Sequence, residues 1–407
     1  MHSELKTDKT EEKNAGIKDN YYSIHTFELK IPLDIHSFSK YKLSLESCCI
    51  ENSQRKGYRN RYYYFRRKNP NKTAHANYFT CYDNEDLFSS GISDISIIEQ
   101  RLTGGEYYNN DKTVSASITF QVNPRILLGY TKNKYISIIP DDEIENIMPT
   151  LINTLTPYGF EESDLKLAII NRMDLCANID LENQESAEQY LKLLRRGGTY
   201  MGLKVKEMPI DPVSHRRKHP PNEVRYVNRP IFGNSTREML SIYLKHPQME
   251  EKSYKYDPNE IELAKGQIRF ELRIHMKKLP YLAKKYGCKI SNELLNMSRA
   301  MGADIFSKYL EGLYGKGKFV KFSRVIELIE QTSHHREIKD TMIEIVNQTR
   351  KCDMADAFRP LTTLKKSQFR KYFNELGISP VSFPDSWERE SFENPVTYVM
   401  TKNVNSR

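Results

Sequence analysis

The sequence lacks any long apolar run, and this absence argues against a membrane-spanning protein. Hydrophobic residues make up 38% of the 407 residues, the mean hydropathy is -0.67, and no stretch approaches the roughly 18 apolar residues of a spanning helix. Residues 1–20 carry charges with no apolar segment behind them, which predicts a disordered tail and not a secretory signal. We therefore expect no membrane partner.

A cysteine framework is absent as well. The six cysteines form neither a CxxC pair nor a regular pattern, which argues against a disulfide scaffold and against a structural zinc site. We expect free thiols in a reducing, cytoplasmic compartment. Tryptophan is almost absent, but 26 tyrosines outnumber 17 phenylalanines. Tyrosine can stack on bases and donate its hydroxyl to phosphate, so this excess favours a nucleic-acid surface over an ordinary core.

The charge balance points to a polyanionic partner. The chain has 62 Lys and Arg against 53 Asp and Glu, for a net charge of +9 and a pI near 9.0. Such an excess favours nucleic acid before other partners, although a merely basic protein has the same balance. The length predicts two or three units, each able to bury its own core.

The hydrophobic pattern changes along the chain and predicts three structured regions. Alternating apolar runs predict a β-rich unit over residues 21–139, and residues 140–280 combine strands with helices that end at Gly159 and before Gly197. Residues 281–407 have helical periodicity, with Ser291 as a helix cap and Gly377 as a stop. We expect an α+β fold with an antiparallel sheet core, helices on one face and a helical C-terminal extension.

A basic, aromatic loop lies in the first region. The segment ENSQRKGYRNRYYYFRRKNPNK places Arg59, Arg61, Arg66 and Arg67 among tyrosines. Cations for phosphates and flat rings for unpaired bases suit a DNA strand. The alternative is an edge hairpin whose charges are only solvated. A second basic segment, DPVSHRRKHPPNEVR, predicts a loop on the DNA side.

Three further segments alternate between apolar and polar residues, and their polar faces carry reactive groups. They are NRMDLCANIDL, REMLSIYLKH and GQIRFELRIHM. Alternation predicts strands, and adjacent strands would bring their polar residues onto one face. Those residues are Arg172, Asp174, Cys176, Asn178, Asp180, Ser241, Tyr243, Lys245, Arg269, Glu271, Arg273 and His275.

These residue types fit phosphodiester cleavage. Asp174 and Glu271 are hard oxygen ligands for Mg²⁺ or Mn²⁺, which would polarise a scissile phosphate. The Tyr243 hydroxyl can attack phosphorus and form a covalent intermediate, but with an ordinary pKa of about 10 it needs a nearby metal or lysine. The alternative is a one-sided sheet that places polar side chains in water.

The order of four motifs resembles a known family. VNPRILLGYTK, RMDLCANIDL, FGNSTREMLSIYLKHPQ and IRFELRIHMKK follow one another between Ser115 and Lys278. The series is similar to trans-acting rolling-circle replication initiators. These include plasmid and transposon replication proteins of Gram-positive bacteria and relatives in filamentous phages.

The resemblance implies a role for individual residues. Tyr243 corresponds to the nicking tyrosine, Asp174 and Glu271 to metal ligands, and Lys245 and Arg269 to phosphate contacts, with Arg172 and Arg273 as further DNA contacts.

The sequence also departs from the family pattern. Ser241 replaces a family arginine, so Arg237 is the expected substitute, and Asn178 replaces a second acid, which leaves Asp180 as the expected third metal ligand. The two-histidine metal motif of other nicking enzymes is absent.

The resemblance also implies a reaction and partners. The expected reaction is metal-dependent nicking of single-stranded or hairpin origin DNA, with a 5′-phosphotyrosyl intermediate, a free 3′ hydroxyl for a polymerase, and final rejoining. A host helicase and a homodimer are implied as well. Two alternatives stay open: a conjugative relaxase or transposase with the same chemistry, and a non-catalytic origin-binding or copy-control protein.

Overall fold

The computed structural model describes residues 22–53, 61–68, 75–102, 112–130, 139, 141–205, 222–228, 238–253 and 256–400. In chain order, the elements up to residue 194 are β1 (Tyr22–Leu33), α1 (Ile35–Ser53), β2 (Arg61–Lys68), β3 (His75–Asp83), α2 (Glu85–Ser89), β4 (Ile92–Leu102), β5 (Lys112–Val122), α3 (Pro124–Leu127), α4 (Ile147–Leu155), α5 (Glu162–Lys166), β6 (Ile169–Asp180) and α6 (Gln184–Leu194). Two short 3₁₀ helices flank α4, at Asp141–Asn146 and Thr156–Tyr158.

The remaining strands are shorter and the helices more numerous. They are β7 (Leu203–Val205), β8 (Glu223–Asn228), β9 (Glu238–Leu244), α7 (Lys245–Glu250), α8 (Pro258–Leu263), β10 (Gln267–His275), α9 (Leu279–Tyr286), α10 (Asn292–Asn296), α11 (Ser298–Tyr314), β11 (Phe319–Val320), α12 (Phe322–Glu330), α13 (Arg336–Thr349), α14 (Met354–Ala357), α15 (Thr363–Glu375), β12 (Ser391–Phe392) and α16 (Pro395–Met400). None of the described helices is long and apolar enough to cross a membrane.

The fold is α+β with a large antiparallel sheet, as the sequence predicts. The described residues fall into two compact units, one from Met1–Leu175 and Ile274–Ser298, the other from Cys176–Arg273 and Arg299–Arg407. This division differs from the boundaries at residues 140 and 280 expected from the sequence.

The first unit has the strand order β2-β3-β4-β5-β1-β6, and β1 pairs antiparallel with β5. Alternate residues of β1, including Phe27, Leu29 and Ile31, are buried, as alternation predicts. Helix α1 covers part of this core, because its Tyr41 ring stacks on Phe160 with centroids 4.6 Å apart.

Helix α1 lies within the β-rich unit predicted over residues 21–139, at a position where the alternating pattern predicts strand. Its stretch YKLSLES alternates like a strand, but Tyr41, Leu45 and Cys49 are buried at the i, i+4, i+8 spacing of a helix. Leu43, which helps to create the strand-like alternation, is 64% exposed. A single sequence cannot tell which leucine is buried.

The second unit has the order β6-β10-β9-β8-β7, so the three reactive strands lie side by side as predicted. Helices α6 and α11 pack onto this unit through buried tyrosines. The hydroxyls of Tyr226 and Tyr314 both donate to the Leu194 carbonyl, over 2.7 and 2.9 Å. These long-range contacts place strands β8 to β10 and the C-terminal helices in one unit, although their hydrophobic patterns differ.

Most helix boundaries agree with the sequence. Gly159 and Gly377 adopt left-handed conformations with φ of 82° and 68° at the expected stops. Ser291 caps α10 by accepting from the Glu293 amide. The basic aromatic loop is only partly described, and Arg61–Lys68 is a strand paired with β3 rather than a loop. The expected tail of residues 1–20 lies outside the described residues.

Candidate active site

The polar faces of β9 and β10 bring Tyr243 and Glu271 together in the second unit. The Tyr243 hydroxyl donates to Glu271 Oε2 over 3.2 Å, and both side chains are half-buried. Leu240, Ile242, Phe270 and Leu272 occupy the opposite face and are fully buried. Alternation therefore directs the reactive pair away from the apolar core, as the sequence predicts.

The surroundings disfavour loss of the Tyr243 proton. Burial, followed by the charge of Glu271, raises the pKa of Tyr243 well above its ordinary value. The nearby Arg269 charge acts in the opposite direction. At neutral pH the hydroxyl therefore stays protonated, so an attack on phosphorus requires a proton acceptor. Glu271 Oε2 already accepts the hydrogen bond and is the nearest such acceptor.

Lys245 lies beside this pair. The alternating pattern predicts it on strand β9, but that strand ends at Leu244. Lys245 is the first residue of α7, and only 3% of it is exposed. Its Nζ donates to Gln248 Oε1 over 3.0 Å and lies 5.9 Å from the centroid of the Tyr243 ring. Pro247, in the first turn of α7, is the sequence signal that marks this helix start.

Burial also acts on the lysine. It is the largest of the effects that lower the pKa of Lys245 well below its ordinary value, and the Arg269 charge acts in the same direction. An amine with a lowered pKa can be neutral near physiological pH and can then accept a proton. Lys245 is thus a second group beside Tyr243 whose pKa is shifted by burial.

Arg269 supplies a buried positive charge. It is fully buried, and its Nε donates to Asn178 Oδ1 over 2.9 Å. Burial opposes its charge, but neighbouring acidic groups, Tyr243 first, outweigh that effect and raise the pKa of Arg269. Asn178, which stands where the family has an acid, therefore orients this guanidinium.

The reactive pair opens onto a cavity of about 600 Å³, which we name the Tyr243 cleft. Its lining includes three cations, Arg225, Lys252 and Arg273, and three acids, Glu223, Glu251 and Glu271. Arg225 is ion-paired with Glu223, and Arg273 Nη2 lies 3.4 Å from Glu271 Oε1. This volume is within the range of small-molecule sites, roughly 300–1,000 Å³. Arg225 and Lys252 were not among the expected site residues, because β8 and the segment after α7 carry no motif.

Asp174 has a different setting in the first unit. It is fully buried, its Oδ2 accepts from the Thr26 hydroxyl over 2.8 Å, and its Oδ1 lies 3.3 Å from Arg172 Nε. Arg172 also lies 3.6 Å from Glu28 and donates to Gln121. Arg172, a predicted DNA contact, thus lies within an ion-pair network.

The three predicted metal ligands are distributed over the two units. Glu271 and Asp180 lie in the second unit, where Asp180 is exposed at the end of β6 and accepts from Gln267 Nε2 over 2.9 Å. In the part of the chain that the structure describes, no group of three or more His, Cys, Asp or Glu side chains could hold a metal ion. Metal binding by Asp174, Glu271 and Asp180 stays a prediction.

The predicted DNA contacts lie partly outside the described residues. Arg59 and Arg237 fall there, as does most of the second basic segment. Arg61, Arg66 and Arg67 lie on β2, which stands first in the strand order of its unit and is therefore an edge strand. An edge strand fits both alternatives that the sequence left open, DNA contact and a solvated hairpin.

No protein family and no curated protein matches this chain. Among solved structures, it is similar to a rolling circle replication initiator protein from Geobacillus stearothermophilus, with 9% identity, a TM-score of 0.27, and coverage of 88% of this chain and 96% of that one. It is also similar to the di-domain ARO/CYC BexL from the BE-7585A biosynthetic pathway, with 9% identity, a TM-score of 0.18, and coverage of 69% and 95%. These TM-scores are too low to indicate a shared fold.

Proposed function

We propose that this protein is a DNA-nicking enzyme of the rolling-circle initiator type, with Tyr243 as its nucleophile. The observation that carries the proposal is the 3.2 Å hydrogen bond from the Tyr243 hydroxyl to Glu271, at a cleft lined by Arg225, Lys252 and Arg273. A nucleophile hydrogen-bonded to a base is the arrangement that covalent catalysis on a phosphodiester needs. The three cations of the cleft lie beside three acids, Glu223, Glu251 and Glu271.

The proposed step is a transesterification. The Tyr243 oxygen forms a bond to phosphorus as its proton passes to Glu271, and the bond between phosphorus and the 3′ oxygen breaks. The leaving 3′ oxygen takes up a proton, and the 5′ phosphate remains on the tyrosine. Because the number of phosphoester bonds is unchanged, the reverse reaction can rejoin the strand.

The chain's own cations have separate tasks in this step. Arg273, which is 30% exposed in its side chain, is placed to contact a phosphate in the cleft. Arg269 is fully buried and adds a fixed charge that stabilises negative charge developing near Tyr243. Lys245, whose Nζ lies 5.9 Å from the centroid of the Tyr243 ring, adds a cation near the site, and burial lowers its pKa.

The test is incubation of the full-length protein with a supercoiled plasmid that carries the replicon encoding it, in the presence of Mn²⁺. A nicked circle with protein bound covalently to the 5′ end supports the proposal. A salt-sensitive gel shift without nicking supports the non-catalytic origin-binding alternative instead. Full nicking in EDTA would contradict the metal requirement but not the role of Tyr243.

A helicase, a polymerase and a homodimer remain part of the proposal through the family resemblance alone. A relaxase or transposase would carry out the same chemistry. Transfer of the covalently held strand to a second DNA end, rather than rejoining after replication, would favour that alternative.

A further inference from the structure

A second cavity in the second unit is rich in positive charge and does not include Tyr243. It measures about 790 Å³, and we name it the basic pocket. Two consecutive pairs of cations line it, Arg195 and Arg196 after α6, and Arg350 and Lys351 after α13.

Three more cations reach the basic pocket from other elements. Lys204 lies on β7, Arg359 follows α14 and Lys366 lies on α15. Asp353 and Asp356 are the acids among the lining residues, and Asp356 forms an ion pair with Arg359. Seven cations less two acids leave an excess of five positive charges at this cavity.

Helix capping accounts for only a small part of this excess. Arg195 and Arg350 are the C-caps of α6 and α13, and a helix C-terminus carries about half a negative charge. Two such ends offset about one unit of charge, so an excess of roughly four positive charges remains among the lining side chains. Within the described parts of the chain, no acidic side chain forms a salt bridge with Arg196, Lys351 or Lys366.

Backbone contacts hold Arg196 in position at the basic pocket. The Arg196 carbonyl accepts from the Met354 amide over 2.9 Å, and its guanidinium donates to the Ser382 carbonyl over 3.3 Å. Gly197, next to Arg196, permits close packing here, because a Cβ there would lie 2.6 Å from Cε1 of the buried Tyr314 ring on α11. Gly197 and Gly198, predicted from the sequence only as the end of α6, therefore also allow α6 to lie close to the C-terminal helices.

The cations in this pocket also repel one another. Burial, and next the charge of Arg350, lowers the pKa of Arg196 below its ordinary value. An arginine remains charged at physiological pH in spite of such a shift, so the repulsion persists in the folded protein. A bound anion with several oxygens would relieve it, and guanidinium groups match phosphate in shape and charge.

We propose that the basic pocket is a binding site for a phosphorylated ligand, separate from the Tyr243 cleft. The phosphate comes either from the backbone of a nucleic-acid strand or from a free polyphosphate such as a nucleotide. This inference does not depend on nicking, because it rests on residues that the proposed reaction does not use.

The test compares two double variants of the full-length protein. Lys351→Gln with Lys366→Gln removes two charges from the pocket, and Lys192→Gln with Lys365→Gln removes two from exposed positions outside it in the same unit. None of the four lysines forms an ion pair with a described residue, so both variants should fold. Urea unfolding checks this.

Binding is measured in EDTA, where nicking does not interfere, with a fluorescein-labelled oligodeoxythymidine, with ATP and with inorganic triphosphate. We expect the pocket variant to bind at least one probe about fivefold more weakly than the control variant. For the oligonucleotide, the slope of log affinity against log salt should fall by about 1.4, since each of two phosphate contacts contributes about 0.7.

The probes distinguish the two sources of phosphate. A loss confined to the oligonucleotide identifies a nucleic-acid strand, and a loss that includes ATP or triphosphate identifies a free phosphorylated molecule. Equal affinities of the two variants for all three probes would overturn the proposal. That result would leave the nicking proposal untouched, because Tyr243 and Glu271 are unchanged in both variants.

Discussion

Asp174 in the first unit and Glu271 in the second are both carboxylates on the polar side of an alternating strand, but their neighbours differ. Asp174 is fully buried, the Thr26 hydroxyl donates to its Oδ2, and Arg172 Nε lies 3.3 Å from its Oδ1. Glu271 is half-buried at a cleft and accepts a hydrogen bond from the Tyr243 hydroxyl. Burial raises the pKa of that tyrosine.

The difference separates a stabilising network from a reactive one. Asp174 is paired with Arg172, and such a partner is what a buried carboxylate needs in order to be tolerated. Around Glu271, burial raises the pKa of Tyr243 and lowers that of Lys245, so the pKa of each group differs from its ordinary value. Such perturbed groups beside a cavity are typical of active sites.

The largest effect is expected from Tyr243→Phe. The substitution removes the hydroxyl and leaves the ring in place, so covalent attachment to DNA should be lost completely while DNA affinity is kept. Denaturing gels of the protein–DNA adduct measure the first property and gel shifts the second. Tyr226→Phe is the matched control, because that tyrosine is fully buried and donates to the Leu194 carbonyl. An adduct of ordinary yield from Tyr243→Phe would contradict the assignment.

A pair of isosteric substitutions tests the comparison itself. Glu271→Gln should abolish nicking but change the free energy of unfolding by less than about 1 kcal/mol, because this side chain is partly exposed. Asp174→Asn should lower that free energy by about 2 kcal/mol, since the buried ion pair with Arg172 is lost while Glu28 still lies 3.6 Å from that arginine. Urea unfolding and nicking assays measure the two quantities. Equal stability losses in both variants would contradict the proposed difference.

The predicted DNA surface on the first unit gives a smaller effect. Replacing Arg59, Arg61, Arg66 and Arg67 with alanine should weaken binding of single-stranded DNA, and each lost contact should reduce the salt slope by about 0.7. Nicking at saturating substrate should persist, because Tyr243 and Glu271 lie in the other unit. An unchanged affinity and slope would mean that β2 is only a solvated edge strand.

The smallest effect concerns the buried lysine. Because burial lowers the pKa of Lys245, charging this residue destabilises the folded state, so stability should rise with pH between the lowered pKa and the ordinary value of 10.5. Lys245→Met should therefore raise Tm at pH 7 by about 2–4 °C and give no gain above pH 10.5. Calorimetry at several pH values measures this. Lys252→Met, at an exposed position of the same cleft, should show no such pH dependence.

The strands were predictable from the sequence because alternation has a direct physical cause. It predicted β6, β9 and β10, and the chemistry of their polar residues singled out Tyr243 as a nucleophile and Glu271 as a metal ligand, but not the hydrogen bond between them. What covers the polar face could not be predicted. Alternation groups side chains by face, but burial of Lys245 and Arg269 depends on elements distant in sequence.

Other features were missed for similar reasons. Helix α1 imitates a strand in YKLSLES, and only the packing of Tyr41 on Phe160 distinguishes the two. The basic pocket combines residues from α6, β7 and the C-terminal helices, which no local motif connects. Arg172 and Asp174 lie two positions apart on one strand and form an ion pair, whereas the sequence analysis gives them separate roles, a DNA contact and a metal ligand.

Identification of the tyrosine that carries DNA is the most direct test of the account. After nicking of a radiolabelled substrate and exhaustive nuclease digestion, peptide mass spectrometry would locate the residue that retains a phosphonucleotide. The account predicts that this residue is Tyr243. A phosphonucleotide on Tyr226, Tyr254 or Tyr256, or a nicked product with no protein attached, would contradict it.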